Sequence, residues 1–358
     1  SLLVTPELAV TGYPPRDLLL YPAFVEAAEA AMAKVAEATA ALELDVVAGS
    51  VGLNGEPAGK LLGNQAVFCS QGRVVARYNK RLLPFYDVFD EGRYFEPGKE
   101  PCVINCRGRR IALTVCEDIW NDEAFWPRRN YPVDPLADLH PFDLLPNLSA
   151  SPFSSGKQAT RERMLAAVAA RHGAPVLYAN LIGGNDDLIF DGRSMVLEPD
   201  GSLAARGKDF EEDLLVYDCG GGASSRPVSS ADPDAENLNA EILNALTLGV
   251  RDYCAKSGIR KALLGLSGGI DSALTAVIAC AALGAENVLG VLMPSPYSSS
   301  HSVSDAEELA ANLGMKTLQL PIVQAMRAFD DILSPIFDGF APDITEENIQ
   351  ARIRGVLL

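Results

Sequence analysis

Histidine is scarce in this chain. Its 358 residues include three, His140, His172 and His301. They are scattered and none stands beside a motif, so they read as structural or surface groups, and a Cys-His nucleophile pair is excluded. No apolar run reaches the roughly 18 to 20 residues that a membrane span requires, and no signal peptide is visible. Positive charge is in deficit, with 30 Lys and Arg against 47 Asp and Glu and a net charge of -17. That balance argues against a nucleic-acid partner and leaves only local positive pockets for small anions. The seven cysteines, at 69, 102, 106, 116, 219, 254 and 280, are odd in number and lie mostly in apolar surroundings. Reduced thiols in the cytoplasm are the simpler account.

What is present is a soluble, globular composition, 48% hydrophobic and 22% charged, over a length that suits two cores. The most informative stretch is 262–273, Ala-Leu-Leu-Gly-Leu-Ser-Gly-Gly-Ile-Asp-Ser-Ala. A buried strand (261–266) runs into a Ser-Gly-Gly turn that opens a helix over 270–283, stopped by Gly284. Glycines let backbone N–H groups approach a phosphate, and the helix start adds free donors and the positive end of its dipole. Ser267 and Ser272 add hydroxyls. Asp271 carries the wrong charge for direct phosphate contact and fits a role through a divalent cation. Neither Gly-Lys-Ser/Thr nor Gly-x-Gly-x-x-Gly is present here, which sets aside the Walker and dinucleotide loops. Ser-Gly-Gly-Ile-Asp-Ser resembles the pyrophosphate loop of the ATP pyrophosphatase family. The plain alternative is a strand-to-helix turn that needed small residues.

In chain order, 2–7 reads as a strand end and 11–15 as a turn. Phe24, Ala28, Ala31, Met32 and Val35 keep helical spacing, and 44–51 is a strand. The segments 65–70 and 73–78 flank Gln71-Gly72 as a hairpin, and 102–106 and 109–116 pair across Arg107-Gly108. Cys102 and Cys106 share a strand face with Ile104 and have no second pair, so they read as structural rather than metal-binding. A helix over 158–171, strands at 176–180, 194–198 and 214–218, and a Gly-, Ser-, Pro- and Asp-rich linker at 219–237 follow. A helix over 238–257 then leads into strict alternation: strand 261–266, helix 270–283, strand 287–293, helix 304–313, strand 316–320, helix 322–333. Ser304 with Glu307 reads as a capping box. Alternation of this kind predicts a doubly wound parallel sheet. The domains are therefore expected at 1–218 and 238–358.

Glu7, Lys80 and Cys116 each stand at or just past the end of a predicted strand, so a layered fold gathers them on one rim. A thiol becomes a nucleophile when a base takes its proton and a nearby cation supports the anion. Glu7 would be that base, and Lys80 would offset charge on a tetrahedral intermediate. Singly, each has a plainer reading: a buried small hydrophobe, a solvated lysine, a capping carboxylate.

Residues 6–15 (Pro-Glu-Leu-Ala-Val-Thr-Gly-Tyr-Pro-Pro), Tyr78-Asn79-Lys80 and Val115-Cys116-Glu117-Asp118-Ile119-Trp120 resemble the Glu-Lys-Cys amidases of the nitrilase superfamily. Joined to the Ser-Gly-Gly-Ile-Asp-Ser loop, nearly the whole chain resembles the family of glutamine-dependent NAD synthetases. The resemblance implies a nitrilase-like α-β-β-α sandwich followed by a Rossmann-like doubly wound α/β domain. Glutamine would be hydrolysed at a cysteine thioester, and its ammonia would amidate the ATP-adenylated nicotinate carboxylate of deamido-NAD.

By motif match Glu7 is the implied proton acceptor, Lys80 the triad lysine, Cys116 the nucleophile and Glu91 an additional catalytic glutamate. Tyr86, Glu117, Ser151 and Lys157 are the implied glutamine-binding positions. Gly265, Leu266, Ser267, Gly268, Gly269, Ile270, Asp271 and Ser272 form the implied ATP loop, with Asp271 as a Mg2+ ligand. Asn348 and Arg352, in 347–354, are implied for deamido-NAD. Outside the resemblance, Tyr86 reads as packing, Ser151 as capping a turn, Lys157 as solvated, Glu91 as paired with Arg93, and Asn348 and Arg352 as a solvated helix face. The resemblance also implies a homo-oligomer. Ser1 lies in an apolar run and Leu358 in an apparent helix, so both ends read as cut, with the family's first strand and remaining nucleotide ligands outside. Two other readings stay open: a different acceptor for the ammonia, or a non-catalytic fragment.

Overall fold

In the computed structural model, which describes residues 1–139, 141–219, 238–339 and 343–358, the strand β1 (Leu2–Val4) leads through a turn into helix α1 (Pro22–Leu42). Proline at the first position presets φ for α1, and Val25, Ala28, Met32, Ala36 and Thr39 recur at three- and four-residue spacing as its buried face. The strands β2 (Asp45–Leu53), β3 (Leu62–Ser70) and β4 (Arg73–Asn79) follow. Gln71 and Arg107, with φ of 51° for each, take the left-handed conformation that a two-residue hairpin demands. The hairpin after Arg107 joins β5 (Val103–Cys106) to β6 (Arg109–Ala112).

The expected strand over 109–116 is two. It breaks at Leu113, and β7 (Thr114–Val115) pairs in parallel with β8 (Leu145–Ser149) in a different sheet. Helix α2 (Lys157–His172), β9 (Val176–Asn180), the hairpin β10 (Ile182–Asn185) and β11 (Leu188–Asp191), then β12 (Met195–Leu197) and β13 (Leu203–Arg206) complete this part. The expected strand at 214–218 is not formed: Leu214 and Val216 are exposed, so their alternation has no sheet face to bury against. The sequence reading missed the β10–β11 hairpin and β13.

Two main sheets result, in the orders β1-β2-β3-β4 and β13-β12-β9-β8-β7, beside the two-stranded β5-β6 and β10-β11. The period-2 alternation of side chains sorts the layers. Val46, Ala48, Val67 and Cys69 face α1 with Met32 and Ala36, and Val47, Ala66, Phe68 and Tyr78 meet Ile111, Val115 and Leu148 between the sheets. On the far side Leu145, Val176, Tyr178 and Met195 pack under Met164, Leu165 and Val168 of α2. This is an α-β-β-α sandwich. Met32 is wholly buried, and its truncation to alanine would cost about 2–5 kcal/mol.

Helix α3 (Leu238–Lys256) comes next. The chain divides into two compact units, Ser1–Ala245 and Leu246–Leu358, so the division falls within α3. Glu241 in its first turn pairs with buried Arg193 at 2.5 Å. The expected linker lies, apart from Cys219, outside the described residues, as does His140.

The second unit alternates β14 (Ala262–Gly265), α4 (Ile270–Leu283), β15 (Val288–Leu292), α5 (Ser300–Leu313), β16 (Lys316–Gln319), α6 (Val323–Phe337) and α7 (Ile344–Leu357). The strands are parallel in the order β14-β15-β16. Helices cover both faces. Val288 and Leu292 pack with α4 and α5, while Leu289 and Val291 pack with α6 and α7. Helix α5 begins one turn earlier than the sequence reading placed it. Ser299 caps it by accepting the N–H of Ser302 at 3.1 Å. The expected Ser304–Glu307 capping box does not form, because Ser304 already lies inside the helix and donates to the His301 carbonyl.

Candidate active site

In the first unit the carboxyl ends of β1, β4, β7 and β8 meet at one rim. Glu7 lies on a turn pressed against β2 at Gly49, where any Cβ would overlap the backbone of Pro6 and Leu8. The Gly49 N–H donates to Thr5 Oγ1 at 3.2 Å and its carbonyl accepts from Val10 at 3.2 Å, which laces the turn to the strand. Lys80 follows β4 directly, and its N–H donates to the Asn64 carbonyl at 2.8 Å.

Lys80 Nζ lies 2.7 Å from Glu7 Oε1 and 2.7 Å from Glu91 Oε1. Asn64 Nδ2 donates to Glu7 Oε1 at 2.7 Å and to Glu91 Oε2 at 3.3 Å. The Tyr13 hydroxyl donates to Glu91 Oε1 at 2.8 Å and the Ala150 N–H to Glu7 Oε2 at 3.0 Å. All three ionisable groups are buried, where charge survives only if it is paired and hydrogen-bonded. Burial opposes the Lys80 ammonium, but the two carboxylates outweigh it and hold its pKa well above the ordinary lysine value. Burial raises the Glu91 pKa against the pull of Lys80, and the Glu7 charge raises it further. Glu91 is thus Lys80's partner, and the pairing with Arg93 is not formed: Arg93 reaches Asp17 at 3.5 Å instead.

Cys116 opens a short 3-10 turn, Cys116–Ile119, with φ of 42°. A left-handed backbone at a cysteine is strained and points to a functional constraint. Burial pushes the thiol's pKa up, Glu7 and Glu117 add to that, and Lys80 and the Ala150 N–H oppose it. The Ala150 N–H donates to the Glu7 carboxylate, and the same N–H acts against the rise in the thiol's pKa. Such a set can take a thiol proton on the carboxylate and steady an acyl intermediate beside the ammonium.

The Tyr86 hydroxyl donates to both Glu117 oxygens at 2.9 and 3.0 Å. Lys157, at the start of α2, donates to the Pro152 carbonyl at 3.2 Å and stands over the Trp120 ring. Burial and Arg161 lower its pKa, so it is not the solvated lysine of the plainer reading. Ser151 caps nothing. Its N–H donates to Asn180 Oδ1 at 2.9 Å, and its hydroxyl accepts from Arg161 at 3.4 Å.

The sequence reading missed Asn64, Tyr13, the Ala150 N–H and Asp118. An amide inside the apolar run of β3 was the available signal for Asn64.

In the second unit the loop after β14 is open. Gly268 has φ of 79°, and a Cβ on it would overlap the Ser302 backbone. The serines brace the loop: Ser272 Oγ accepts the Ser267 N–H at 3.2 Å and lies 3.0 Å from Ser267 Oγ, which accepts the Gly269 N–H at 3.2 Å. Asp271 is exposed in the first turn of α4. Among the described residues no group of three or more His, Cys, Asp or Glu could hold a metal; the exposed Asp271 carboxylate could offer a cation one hard oxygen donor. Asn348 and Arg352 share an exposed face of α7, where the Arg352 guanidinium donates to the Asn348 carbonyl at 3.1 Å.

A positive-φ cysteine thus stands with a buried Glu-Lys-Glu cluster between two helix-covered sheets, the class of arrangement in which a thiol could act as a nucleophile. Residues 1–222 match the carbon-nitrogen hydrolase family and residues 242–358 the NAD synthase family; the chain belongs to the carbon-nitrogen hydrolase family. It is similar to the glutamine-dependent NAD(+) synthetase of Synechocystis sp., 47% identical over 365 residues that cover 100% of this chain and 65% of that protein. The Thermotoga maritima protein of the same name is 39% identical, over 99% of this chain and 65% of its own length. The solved glutamine-dependent NAD+ synthetase of Acinetobacter baumannii, in complex with ADP, is 37% identical with a TM-score of 0.88, over 99% of this chain and 65% of that one. The chain thus spans slightly less than two thirds of the relatives that it matches.

Proposed function

We propose that residues 1–218 form a glutaminase and residues 238–358 part of an ATP-dependent NAD synthetase domain, together a glutamine-hydrolysing NAD(+) synthase. The observation that carries this reading is the Lys80 ammonium held at 2.7 Å from both Glu7 and Glu91, with Cys116 buried within electrostatic reach of Glu7 and Lys80.

Glu7 accepts the Cys116 thiol proton as sulfur attacks the side-chain amide carbon of glutamine. Lys80 offsets the charge on the tetrahedral oxygen. The intermediate collapses with the proton returned from Glu7 to the leaving nitrogen, and ammonia departs. Water, deprotonated by Glu7, then opens the thioester and releases glutamate. Burial holds the free thiol's pKa up, so the reaction relies on Glu7 to take the thiol proton as the sulfur attacks. Glu91 keeps Lys80 charged. Tyr86, Glu117, Ser151 and Lys157 bind glutamine, with Glu117 suited to its α-ammonium and Lys157 to its α-carboxylate.

In the second domain the N–H groups of 267–272 hold the ATP phosphates at the start of α4, and Asp271 would supply an oxygen ligand to the Mg2+ that accompanies them and offsets their charge. The nicotinate carboxylate of deamido-NAD attacks the α-phosphorus and releases pyrophosphate, and ammonia then displaces AMP to give NAD. Asn348 and Arg352 contact deamido-NAD. No helix among the described residues is long and apolar enough to cross a membrane, and we place the enzyme in the cytoplasm as a homo-oligomer. The test supplies full-length protein with glutamine, magnesium ATP and deamido-NAD and follows NAD, AMP and glutamate. Absence of NAD, or NAD from ammonia but never from glutamine, overturns the reading.

A further inference from the structure

We propose that Asp118 is a positioning residue that fixes the separation of Lys80 from Cys116, a role that rests on the cysteine-hydrolase reading of this unit. Lys80 follows β4 and Cys116 follows β7, and these strands belong to different sheets. Ladder hydrogen bonds fix register within a sheet and do not themselves link two face-packed sheets. A hydrogen-bonded tie between the two strand ends can be supplied by a side chain.

Asp118 is that tie. Its Oδ1 accepts the N–H groups of Arg81 at 3.0 Å and Leu82 at 2.9 Å, the two residues after Lys80. Its Oδ2 accepts the Val115 N–H at 3.0 Å, immediately before Cys116, and the Tyr78 hydroxyl at 2.8 Å, two residues before Lys80. Asp118 is 0% exposed, so no water substitutes for a lost acceptor. Each oxygen takes two donors, and only a carboxylate supplies four acceptor positions. Asparagine would turn an N–H2 toward one of these donor pairs.

Glu7, Lys80 and Glu117 are the side chains that act most strongly on the sulfur, with Tyr13, Tyr86, Lys157 and Tyr178 also within electrostatic reach. Of the strongest three, Lys80 is the cation that favours thiolate. A slack tie that lets Lys80 drift would therefore move thiolate formation to higher pH.

The test uses the full chain, its Asp118→Asn and Tyr78→Phe variants, and two readouts. Alkylation of Cys116 by iodoacetamide is followed against pH by peptide mass spectrometry, with buried Cys69 remaining unlabelled as the sign of an intact fold. Glutamine hydrolysis gives kcat and KM. We expect Asp118→Asn to move the alkylation midpoint to higher pH and to lower kcat by roughly 100-fold, the loss that a displacement of about 1 Å brings, with KM changed far less. Tyr78→Phe removes one of the four donors and should shift both readouts in the same direction by less.

A wild-type midpoint and kcat in folded Asp118→Asn, or a lower melting temperature with neither shift, overturns the proposal. If Asp118→Asn labels Cys69, Tyr78→Phe decides alone: a shifted midpoint supports the tie and an unshifted one overturns it. If instead Cys116→Ala hydrolyses glutamine as the wild type does, the hydrolase reading fails, while the alkylation readout still decides whether Asp118 holds the two strand ends.

Discussion

The rim of the first unit and the loop of the second handle charge in opposite ways. At the rim Glu7, Lys80 and Glu91 are buried and already hydrogen-bonded, so the site is preorganised before a ligand arrives. In the loop Ser267 and Asp271 are exposed and the serine hydroxyls brace the backbone, so only reachable N–H groups and one carboxylate are offered. Bond-making chemistry gains from fixed dipoles in a dry pocket, whereas phosphate binding needs close approach. Substitutions at the rim should therefore cost both rate and stability, and those in the loop should cost ligand binding with little else.

The largest expected effect is at Cys116. Cys116→Ala should lower glutamine hydrolysis by about 10⁴-fold or more while amidation with added ammonia continues, as parallel assays of glutamate and NAD would read. Loss of both activities would break the comparison by showing that the cysteine holds structure beyond its own rim. Next is Lys80→Met, which leaves Glu7 and Glu91 facing each other in a buried site. It should destabilise the protein by about 3–5 kcal/mol, measured by denaturant unfolding. A near-neutral result would mean that the cluster is wetter and looser than its burial implies.

How much of this was legible beforehand follows from the kind of interaction. The α/β alternation of 261–320 was plain because each element carries its own period and stop signal. Glu7, Lys80 and Cys116 could be placed on one rim from strand ends alone, without any distance. Asn64 and Asp118 could not, because their partners lie in other segments: 57 positions separate Asn64 from Glu7, and 36 and 37 separate Asp118 from Leu82 and Arg81. The break at Leu113 was hidden for a related reason, since which sheet a short apolar strand joins is a tertiary choice. Ser304 shows the opposite error. Its spacing to Glu307 fits a capping box, yet Ser299 supplied a cap one turn earlier and the helix extended to it.

A smaller effect tests the loop's geometry. Gly268→Ala meets both a φ of 79° and the Ser302 backbone, a strain of about 1–3 kcal/mol. Nucleotide binding, read by calorimetry, should fall with it while glutamine hydrolysis in the first unit holds. If alanine were accepted with full affinity, close approach at this glycine would not be what the loop requires.

The smallest effect on the fold is expected at Asp271, and it separates the two regions most sharply. Its carboxylate is exposed and nothing in the first turn of α4 leans on it, so Asp271→Asn should move the melting temperature by less than about 3 °C. The substitution keeps shape and removes charge. Affinity for ATP should therefore drop in magnesium and change little in its absence, because an oxygen ligand to the cation is lost while the backbone donors remain. An equal drop with and without magnesium would mean that Asp271 acts by holding the loop. The second region would then be preorganised as the rim is, and the contrast between a finished site and a waiting one would fail.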